Sequence, residues 1–166
     1  MKFVYCPFCK GILKRKAYNL LVCRHCESPL YINAKPTSSA ILANEKGEIL
    51  LAKRKHAPKR NYWNLPGGFI DLGESAEEAT MRELKEELGV MPHAISYLRS
   101  WPGRYLYRGS NYHTLNFVFI GKVSSREVIT PQDDVSEAAF FLPKEIPFHR
   151  FAFPSEAEAL KYYLSQ

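Results

Sequence analysis

The cysteines constrain this chain most, because all four lie within the first 26 residues in two Cys-x-x-Cys pairs. The pairs are Cys6–Cys9 and Cys23–Cys26, and thirteen residues separate them. Each pair can present two sulfurs from one tight turn, and two turns complete the tetrahedron of thiolates that Zn²⁺ prefers. About 30 residues bury too little apolar surface to fold alone, so the metal would supply the missing stability. We therefore predict a zinc ribbon at residues 1–33.

Other uses of these cysteines fit the pattern less well. Two disulfide bonds are rare in a reducing compartment, and a redox Cys-x-x-Cys pair normally has a thioredoxin-like context. A site closed by four thiolates leaves no open position for a substrate, so the predicted zinc is structural. His25 is then not needed as a ligand, and Gly11 is expected to help the chain turn back after the first pair.

Length and composition fit one globular domain with a small appendage. The chain has 166 residues, of which 46% are hydrophobic and 24% charged. No apolar run approaches the roughly 20 residues that a membrane-spanning helix needs. The N-terminus reaches Cys6 without room for the apolar core of a signal peptide. We expect a cytoplasmic protein with no membrane partner.

The net charge of +6 comes entirely from the N-terminal segment. Residues 1–35 contain seven Lys or Arg residues and a single acid, Glu27, whereas residues 36–166 contain sixteen of each sign. A basic patch attracts phosphates, either free or on nucleic acid. The alternative is a solvated surface that aids solubility.

Hydrophobic periodicity predicts strands that alternate with two helices after a short linker at residues 33–36. Strands are expected at 37–43, 48–53, 94–101, 114–123 and 137–142, a short strand with a turn at 63–68, and helices at 75–88 and 155–164. A capping box is predicted for each helix, Ser75 with Glu78 and Ser155 with Glu158. This order favours an α/β domain at residues 34–166, in which helices pack on a mixed sheet.

The first helix carries an acidic face. Its apolar residues share one side and should face the core: Met81, Leu84 and Leu88. Glu83, Glu86 and Glu87 share another side at spacings i, i+3 and i+4, where like charges destabilise a helix by roughly 0.2–0.5 kcal/mol per pair. Converging carboxylates fit a hard divalent cation held between them. An exposed acidic helix face is the alternative.

The residues around this helix complete a known pattern. The filled positions are Gly68, Glu74, Arg82-Glu83, Leu84, Glu86-Glu87, Gly89 and Val90. In this register the sequence resembles the Nudix (MutT-like) hydrolases, and the resemblance covers most of residues 36–166. It implies an α/β/α sandwich with a mixed sheet, and an enzyme that cleaves the pyrophosphate bond of a nucleoside diphosphate linked to another group.

The resemblance also implies roles for single residues. In the family the pattern forms a loop–helix–loop that holds Mg²⁺ or Mn²⁺ against a pyrophosphate. The implied ligands are the Gly67 carbonyl, Glu83, Glu86, Glu87 and an acid from outside the pattern, Glu137. Arg82 would orient Glu83, which is one candidate for the catalytic base, and Glu74 would support the loop. Asp133 and Asp134 are alternatives to Glu137.

A ribbon ahead of such a domain resembles two groups of enzymes. NADH pyrophosphatases carry a Ser-Gln-Pro-Trp-Pro-Phe-Pro-x-Ser array, from which residues 100–105 depart. The ribbon-bearing FAD and ADP-ribose pyrophosphatases fit better, through likenesses at residues 31–35, 63–69 and 152–155. We therefore expect FAD, ADP-ribose or a similar dinucleotide or nucleotide sugar as substrate.

Several side chains are candidates for substrate contacts. Tyr107 lies seventeen residues after Val90, a spacing that resembles the diadenosine polyphosphate hydrolases. Arg54 and the basic residues around it fit phosphates. The basic neighbours are Lys53, Lys55, Lys59 and Arg60, and the candidate stacking residues are Trp63, Phe69, Trp101, Tyr105 and Tyr112.

Other functions stay open at this point. The enzyme could act on NADH or remove a nucleotide cap from RNA, with the basic ribbon holding the RNA body. A protein of another class would sense a nucleotide or bind nucleic acid without catalysis, although the complete acidic pattern disfavours that. The ribbon could also mediate formation of a homodimer.

Overall fold

The computed structural model describes residues 3–166, so the first two residues of the predicted ribbon lie outside the described part. The strands are β1 Leu13–Ala17, β2 Leu20–Cys23, β3 Pro29–Tyr31, β4 Lys35–Ala43, β5 Ile49–Arg54, β6 Trp63–Asn64, β7 Gly67–Phe69, β8 Ile95–Tyr107, β9 Ser110–Lys122 and β10 Val135–Phe141. The helices are α1 Ala76–Leu88 and α2 Pro154–Leu164, and 3₁₀ turns cover Pro143–Glu145 and Phe148–Arg150.

The N-terminal segment forms a small antiparallel sheet of its own, in the order β1-β2-β3. Its core is small and is built around the cysteines. The buried members are Cys6, Leu13, Leu21 and Cys23, with Cys9, Leu30 and Ile32 packed against them. Few apolar side chains are therefore available to stabilise this segment.

The rest of the chain forms a seven-stranded sheet with the path β10-β5-β4-β9-β8. The strands β6 and β7 pair with β5 and β4 at one end of the sheet. The pair β4–β9 is parallel and all other pairs are antiparallel, so the sheet is mixed as predicted.

Both faces of this sheet are covered, because alternate residues of the central strands belong to different cores. In β4, Ile41 packs in the core that contains Leu160 of α2, whereas Leu42 packs in the core that contains Leu84 and Leu88 of α1. One helix therefore lies on each face, and the predicted α/β/α sandwich is confirmed.

Helix α1 follows its sequence signals closely. Ser75 is the N-cap and forms the predicted capping box with Glu78, and the helix ends at Gly89. Leu84 and Leu88 are fully buried, whereas Met81 is only half-buried.

Helix α2 differs from its prediction at the start. It begins at Pro154 after Phe153, which has no side-chain cap, so the predicted capping box of Ser155 with Glu158 is wrong. Proline suits the first helical position, because its missing N–H has no intrahelical partner there.

The strands β8 and β9 are longer than predicted, with thirteen residues each. They pair without interruption from Arg99 to the turn at Arg108 and Gly109. β8 passes through Pro102, which an edge strand tolerates. The result is a hairpin that extends past the start of β4, where Lys35 pairs with Thr114. Neither helix of residues 3–166 has the length and apolar character needed to cross a bilayer.

Candidate functional site

A cavity of about 370 Å³ opens where β4, β7, α1 and the start of α2 meet. It is lined by Thr37, Ser38, Arg54, Asn64, Gly67, Gly68, Phe69, Asp71, Arg82, Glu83, Glu86, Glu87, Arg104, Tyr105, Thr114, Asn116, Asp133, Asp134, Phe153, Ser155 and Glu156. Residues from distant parts of the sequence, including most of the predicted site residues, therefore share one cavity.

Arg82 lies at the centre of the acidic helix face and binds three carboxylates. Its Nε and one terminal nitrogen donate to the two oxygens of Glu74 at 2.8 and 3.0 Å. Its other terminal nitrogen donates to Glu83 at 2.9 Å and to Glu86 at 3.0 Å. The Phe69 carbonyl accepts a further bond at 3.0 Å. Arg82 thus fixes the loop before the helix and the side chains on it at the same time.

Glu83 is held against the backbone of β7. A side chain at Gly68 would overlap the Glu83 carboxylate, so this approach requires glycine. Burial raises the pKa of Glu83, and the hydrogen bond from Arg82 opposes part of that shift.

Glu87 is the most buried of the helix carboxylates, with 6% of its surface exposed. One of its oxygens accepts a hydrogen bond from the Gly67 backbone N–H at 2.9 Å. Gly67 has φ of 139° and packs too closely on Ser38 for any side chain. Burial raises the pKa of Glu87 to about 8, even though the Gly67 N–H lowers it in part.

The cavity carries more negative than positive groups. Seven carboxylates line it, against three guanidinium groups. The acids are Asp71, Glu83, Glu86, Glu87, Asp133, Asp134 and Glu156, and the cations are Arg54, Arg82 and Arg104. A concave site with an excess of carboxylates attracts cations and stabilises a bound divalent ion.

The three candidates for the acid from outside the helix lie in different places. Glu137 does not line the cavity, and its carboxylate accepts a hydrogen bond from Lys53 Nζ at 2.6 Å on the neighbouring strand. Asp133 and Asp134, on the loop before β10, do line the cavity. The geometry therefore favours the loop acids over Glu137 as partners of the helix glutamates.

Only one residue of the predicted basic loop reaches the cavity. Arg54 lies in its wall, donates from Nε to the Pro58 carbonyl at 2.8 Å and stacks over the Phe153 ring at 5.1 Å. Its basic neighbours do not line the cavity.

The aromatic candidates also separate into two groups. Trp63 and Trp101 belong to the core beneath α2 and are packing residues. Phe69 and Tyr105 line the cavity, with ring centroids 5.6 Å apart in an edge-to-face arrangement. Tyr107 lies next to Tyr105, at 6.2 Å between ring centroids, but outside the cavity itself.

Sequence reasoning missed several polar residues of the cavity, including the cation Arg104, and two of them are unusual in their surroundings. Glu156 of α2 accepts a hydrogen bond from the Leu65 backbone N–H at 3.0 Å, and burial raises its pKa to about 8. Ser38 Oγ is the one buried side-chain oxygen or nitrogen without a hydrogen-bond partner in the described part of the chain. No local pattern marks either residue, because their neighbours come from distant segments.

The four cysteines form a second cluster, far simpler than the first. None is in a disulfide, and their sulfurs all lie within 4.8 Å of one another. Cys6 and Cys26 are 3.7 Å apart, and Cys9 and Cys23 are 3.4 Å apart. A tetrahedral zinc site with bonds of about 2.3 Å has sulfurs about 3.8 Å apart, so the spacing fits.

Backbone N–H groups support a thiolate at one of the four cysteines, Cys23. The backbone N–H groups of Cys26 and His25 point to Cys23 Sγ and lower the pKa of that thiol. Gly11 makes room for the cluster, because a side chain there would touch His25 and Cys23. The turn has a left-handed residue at Lys10, with φ of 61°, and closes at Gly11, whose carbonyl accepts a hydrogen bond from the Cys6 N–H at 2.8 Å.

Comparison with known proteins agrees with this geometry. A family model of the NUDIX domain matches residues 34–163. An ADP-ribose pyrophosphatase of Methanocaldococcus jannaschii is 36% identical over 135 residues, which are 81% of this chain and 76% of that protein. NAD-capped RNA hydrolase NudC of Pectobacterium carotovorum is 24% identical over 144 residues, 86% of this chain but only 52% of that protein.

A solved structure extends the likeness to the N-terminal segment. The crystal structure of a NUDIX hydrolase from Nitrosomonas europaea has a TM-score of 0.73 at 25% sequence identity. The match covers 98% of this chain and 91% of that one, so it includes most of the cysteine segment as well as the sandwich.

Proposed function

The chain belongs to the Nudix family and is a pyrophosphohydrolase of that family, and from this premise we propose that it cleaves ADP-ribose, FAD or a similar compound with a divalent cation. The observation that carries the proposal is the cavity at α1, where seven carboxylates face three guanidinium groups. Such an excess suits a site that binds a cation together with a diphosphate.

The donor set fits a hard cation. Glu83, Glu86 and Glu87 offer carboxylate oxygens, which Mg²⁺ and Mn²⁺ prefer, and the Gly67 carbonyl is proposed as a further ligand. Ser38 Oγ, buried in the cavity wall without a partner, is a polar group available to a bound ligand. When bound, the cation neutralises the phosphates and makes the attacking water more acidic.

The residues of the chain prepare that reaction. Arg82 holds Glu83 and Glu86 in place, so their carboxylates need little reorganisation. A carboxylate takes a proton from the water as its oxygen attacks phosphorus and the bridging P–O bond breaks, which releases two phosphate monoesters. We propose Glu83, or one of the acids at 133–137, as this base. Arg54 is placed to bind the charged phosphate oxygens.

The relatives support the proposed substrate class. The Methanocaldococcus relative is named an ADP-ribose pyrophosphatase, which supports a nucleoside diphosphate joined to a second group. Phe69 and Tyr105 in the cavity provide ring surfaces for such a ligand.

Removal of a nucleotide cap from RNA is the second candidate. It is supported by the relative named NAD-capped RNA hydrolase and by the exposed basic residues of β1, Lys14, Arg15 and Lys16. Basic side chains in a row attract a nucleic-acid backbone in a salt-dependent way.

We also propose that Cys6, Cys9, Cys23 and Cys26 hold a structural Zn²⁺, which defines a ribbon at residues 1–33 ahead of a Nudix domain at 34–166. All four positions of a tetrahedron are filled by the protein, so this metal would not meet a substrate.

A substrate panel tests the proposal. Purified protein with Mg²⁺ or Mn²⁺ is given FAD, NADH, ADP-ribose, diadenosine polyphosphates, nucleotide sugars and capped RNA, and products are separated by chromatography. We expect AMP from FAD or ADP-ribose and little turnover in EDTA. No turnover of any compound would favour a nucleotide sensor, and a preference for capped RNA that weakens with salt would favour the second candidate.

A further inference from the structure

A second depression adjoins the catalytic cavity, and we call it the aromatic slot. It has a volume of about 610 Å³ and is lined by Phe3, Lys35, Phe69, Tyr105, Tyr107 and Tyr112. Five of its six lining residues are therefore aromatic, and the sixth is a cation. Four of these six residues do not line the cavity that contains the helix carboxylates.

The aromatic slot is continuous with the catalytic cavity, because Phe69 and Tyr105 line both. The Phe69 carbonyl also accepts a hydrogen bond from Arg82, which binds the helix carboxylates. A ligand whose diphosphate lies at those carboxylates can therefore extend one of its two flanking groups past Phe69 and Tyr105 into the slot.

The slot suits a flat ring better than a sugar. Phe3, Phe69 and Tyr107 are each 40–43% exposed, so their faces and edges are open to a ligand. Tyr105 and Tyr107 lie nearly parallel, at 25°. Planar heterocycles stack on such rings, and the polar groups of the slot, three tyrosine hydroxyls and one ammonium, lie at the ends of its side chains rather than on the ring faces. Lys35 Nζ, 5.7 Å from the Tyr112 ring, is a donor for carbonyl oxygens of a heterocycle.

We propose that the aromatic slot binds a planar ring on the group joined to the nucleoside diphosphate, so that the preferred substrate has two ring-bearing halves. This inference rests on the proposed function and narrows it. It places dinucleotides such as FAD ahead of ADP-ribose, in which the second half is a sugar alone.

The N-terminal segment takes part in this slot. Phe3 supplies one wall, and the Tyr18 hydroxyl lies 3.1 Å from His113 Nε2 on the β8–β9 hairpin. Tyr105, Tyr107 and Tyr112 sit on the part of that hairpin beyond the start of β4. The cysteine segment therefore braces the hairpin that carries the slot, which gives it a role in substrate choice without a role in the chemistry.

The test compares FAD with ADP-ribose, which share the ADP half, in wild type, Tyr107→Ala and the matched control Leu106→Ala. Leu106 is exposed on the same strand and does not line the slot. Stacking of a base on an aromatic residue is typically worth about 1–3 kcal/mol, so Tyr107→Ala should raise KM for FAD at least fivefold or so. ADP-ribose should change little, and kcat for both should stay within about twofold. Phe3→Ala should shift KM in the same direction.

The outcomes separate the two proposals. Hydrolysis of neither compound would overturn the proposed function itself. If both compounds are hydrolysed and Tyr107→Ala changes their KM values equally, the slot binds the adenine that they share or binds no part of them. That result would overturn only the inference. A Tyr107→Ala protein that changes from dimer to monomer in size-exclusion chromatography would show that a second copy covers the slot, which also overturns it.

Discussion

The cysteine cluster and the carboxylate cavity hold their side chains in opposite ways. Four sulfurs lie within 4.8 Å of one another, and nothing else in residues 3–166 brings three or more potential metal ligands that close. Two carboxylates of α1, Glu83 and Glu86, are instead bound by Arg82, and their cavity is lined by four more carboxyl groups than guanidinium groups. The cysteine cluster has room for a single ion. The carboxylate cavity is open to solvent, and its acidic side chains repel one another.

This difference suggests that the carboxylates serve activity, whereas the cysteines serve stability. Buried carboxylates with raised pKa values, such as Glu83 and Glu87, lower the stability of the fold. Such groups are typical of functional sites, and a bound cation would offset their cost. Thiolates around the proposed zinc would instead stabilise a small segment that has little core. Substitutions at the two sites should therefore change stability in opposite directions, and the expected effects on activity differ even more.

The largest effect is expected at the helix carboxylates. Loss of a residue that merely supports a metal ligand typically lowers activity by about 10- to 100-fold, so Glu83→Gln and Glu87→Gln should exceed that range in kcat. The melting temperature of metal-free Glu87→Gln should rise above about pH 4.5, because burial disfavours the ionised carboxylate that the unfolded chain carries there, while the amide oxygen still accepts from Gly67. Steady-state kinetics and thermal unfolding in EDTA measure both.

Glu77→Gln is the matched control, since Glu77 is exposed in the first turn of the same helix. It should leave kcat unchanged. Activity near wild type in both site variants would remove these glutamates from the reaction, and a lower melting temperature for Glu87→Gln would contradict the idea that its charge is unfavourable.

The next largest effect on kcat is expected from substitutions in the loop before β10. Asp134 lines the cavity, whereas Glu137 pairs with Lys53 outside it. If a loop acid assists the helix carboxylates, Asp134→Asn should lower kcat by about 10-fold or more, and Glu137→Gln by less than about threefold. Asp133→Asn completes the set. The reverse order would restore Glu137 as the outside ligand predicted from sequence.

Zinc removal should have a smaller effect on activity and the opposite effect on stability. A strong zinc chelator, or Cys23→Ser, should loosen the N-terminal segment and expose it to protease, with zinc released in a colorimetric assay. Turnover of ADP-ribose at saturation should stay within about twofold, because none of the four cysteines lines the carboxylate cavity. Full folding of the segment with no bound metal would contradict the ribbon.

Sequence signals predicted the parts of this molecule that are locally determined. Helix α1 was predicted to within one residue, because Ser75, Glu78 and Gly89 interact only with their own helix. The strand β8 was predicted too short, because its pairing with β9 continues through Pro102 and Gly103, which read locally as breakers.

The candidate site shows the same division. The glutamates of α1 were predicted because their spacing lies within one helix. The position of the loop acids depends on how β10 pairs with β5, where a register shift falls between Val135 and Glu137. Glu156 could not be predicted, because the Leu65 N–H that it binds is 91 residues away.

Glu156 gives the smallest expected effect on activity and a separate measure of charge in the cavity. Its pKa is raised to about 8 by burial, although Arg54 opposes the shift. An unfolded chain holds this carboxyl ionised above about pH 4.5, so the folded protein loses stability from Glu156 as the pH rises from about 4.5 to 8. Glu156→Gln keeps an acceptor for Leu65 and should raise the melting temperature by about 2–4 °C at pH 8 but not at pH 4.5.

The exposed Glu158 on the same helix supplies the control, and Glu158→Gln should change the melting temperature at neither pH. Turnover of Glu156→Gln should stay within about threefold of wild type, since Glu156 contacts the Leu65 backbone rather than the helix carboxylates. A loss as large as that of Glu87→Gln would instead place Glu156 among the groups that act on the substrate. In that case the site compared with the cysteine cluster would include α2 as well as α1.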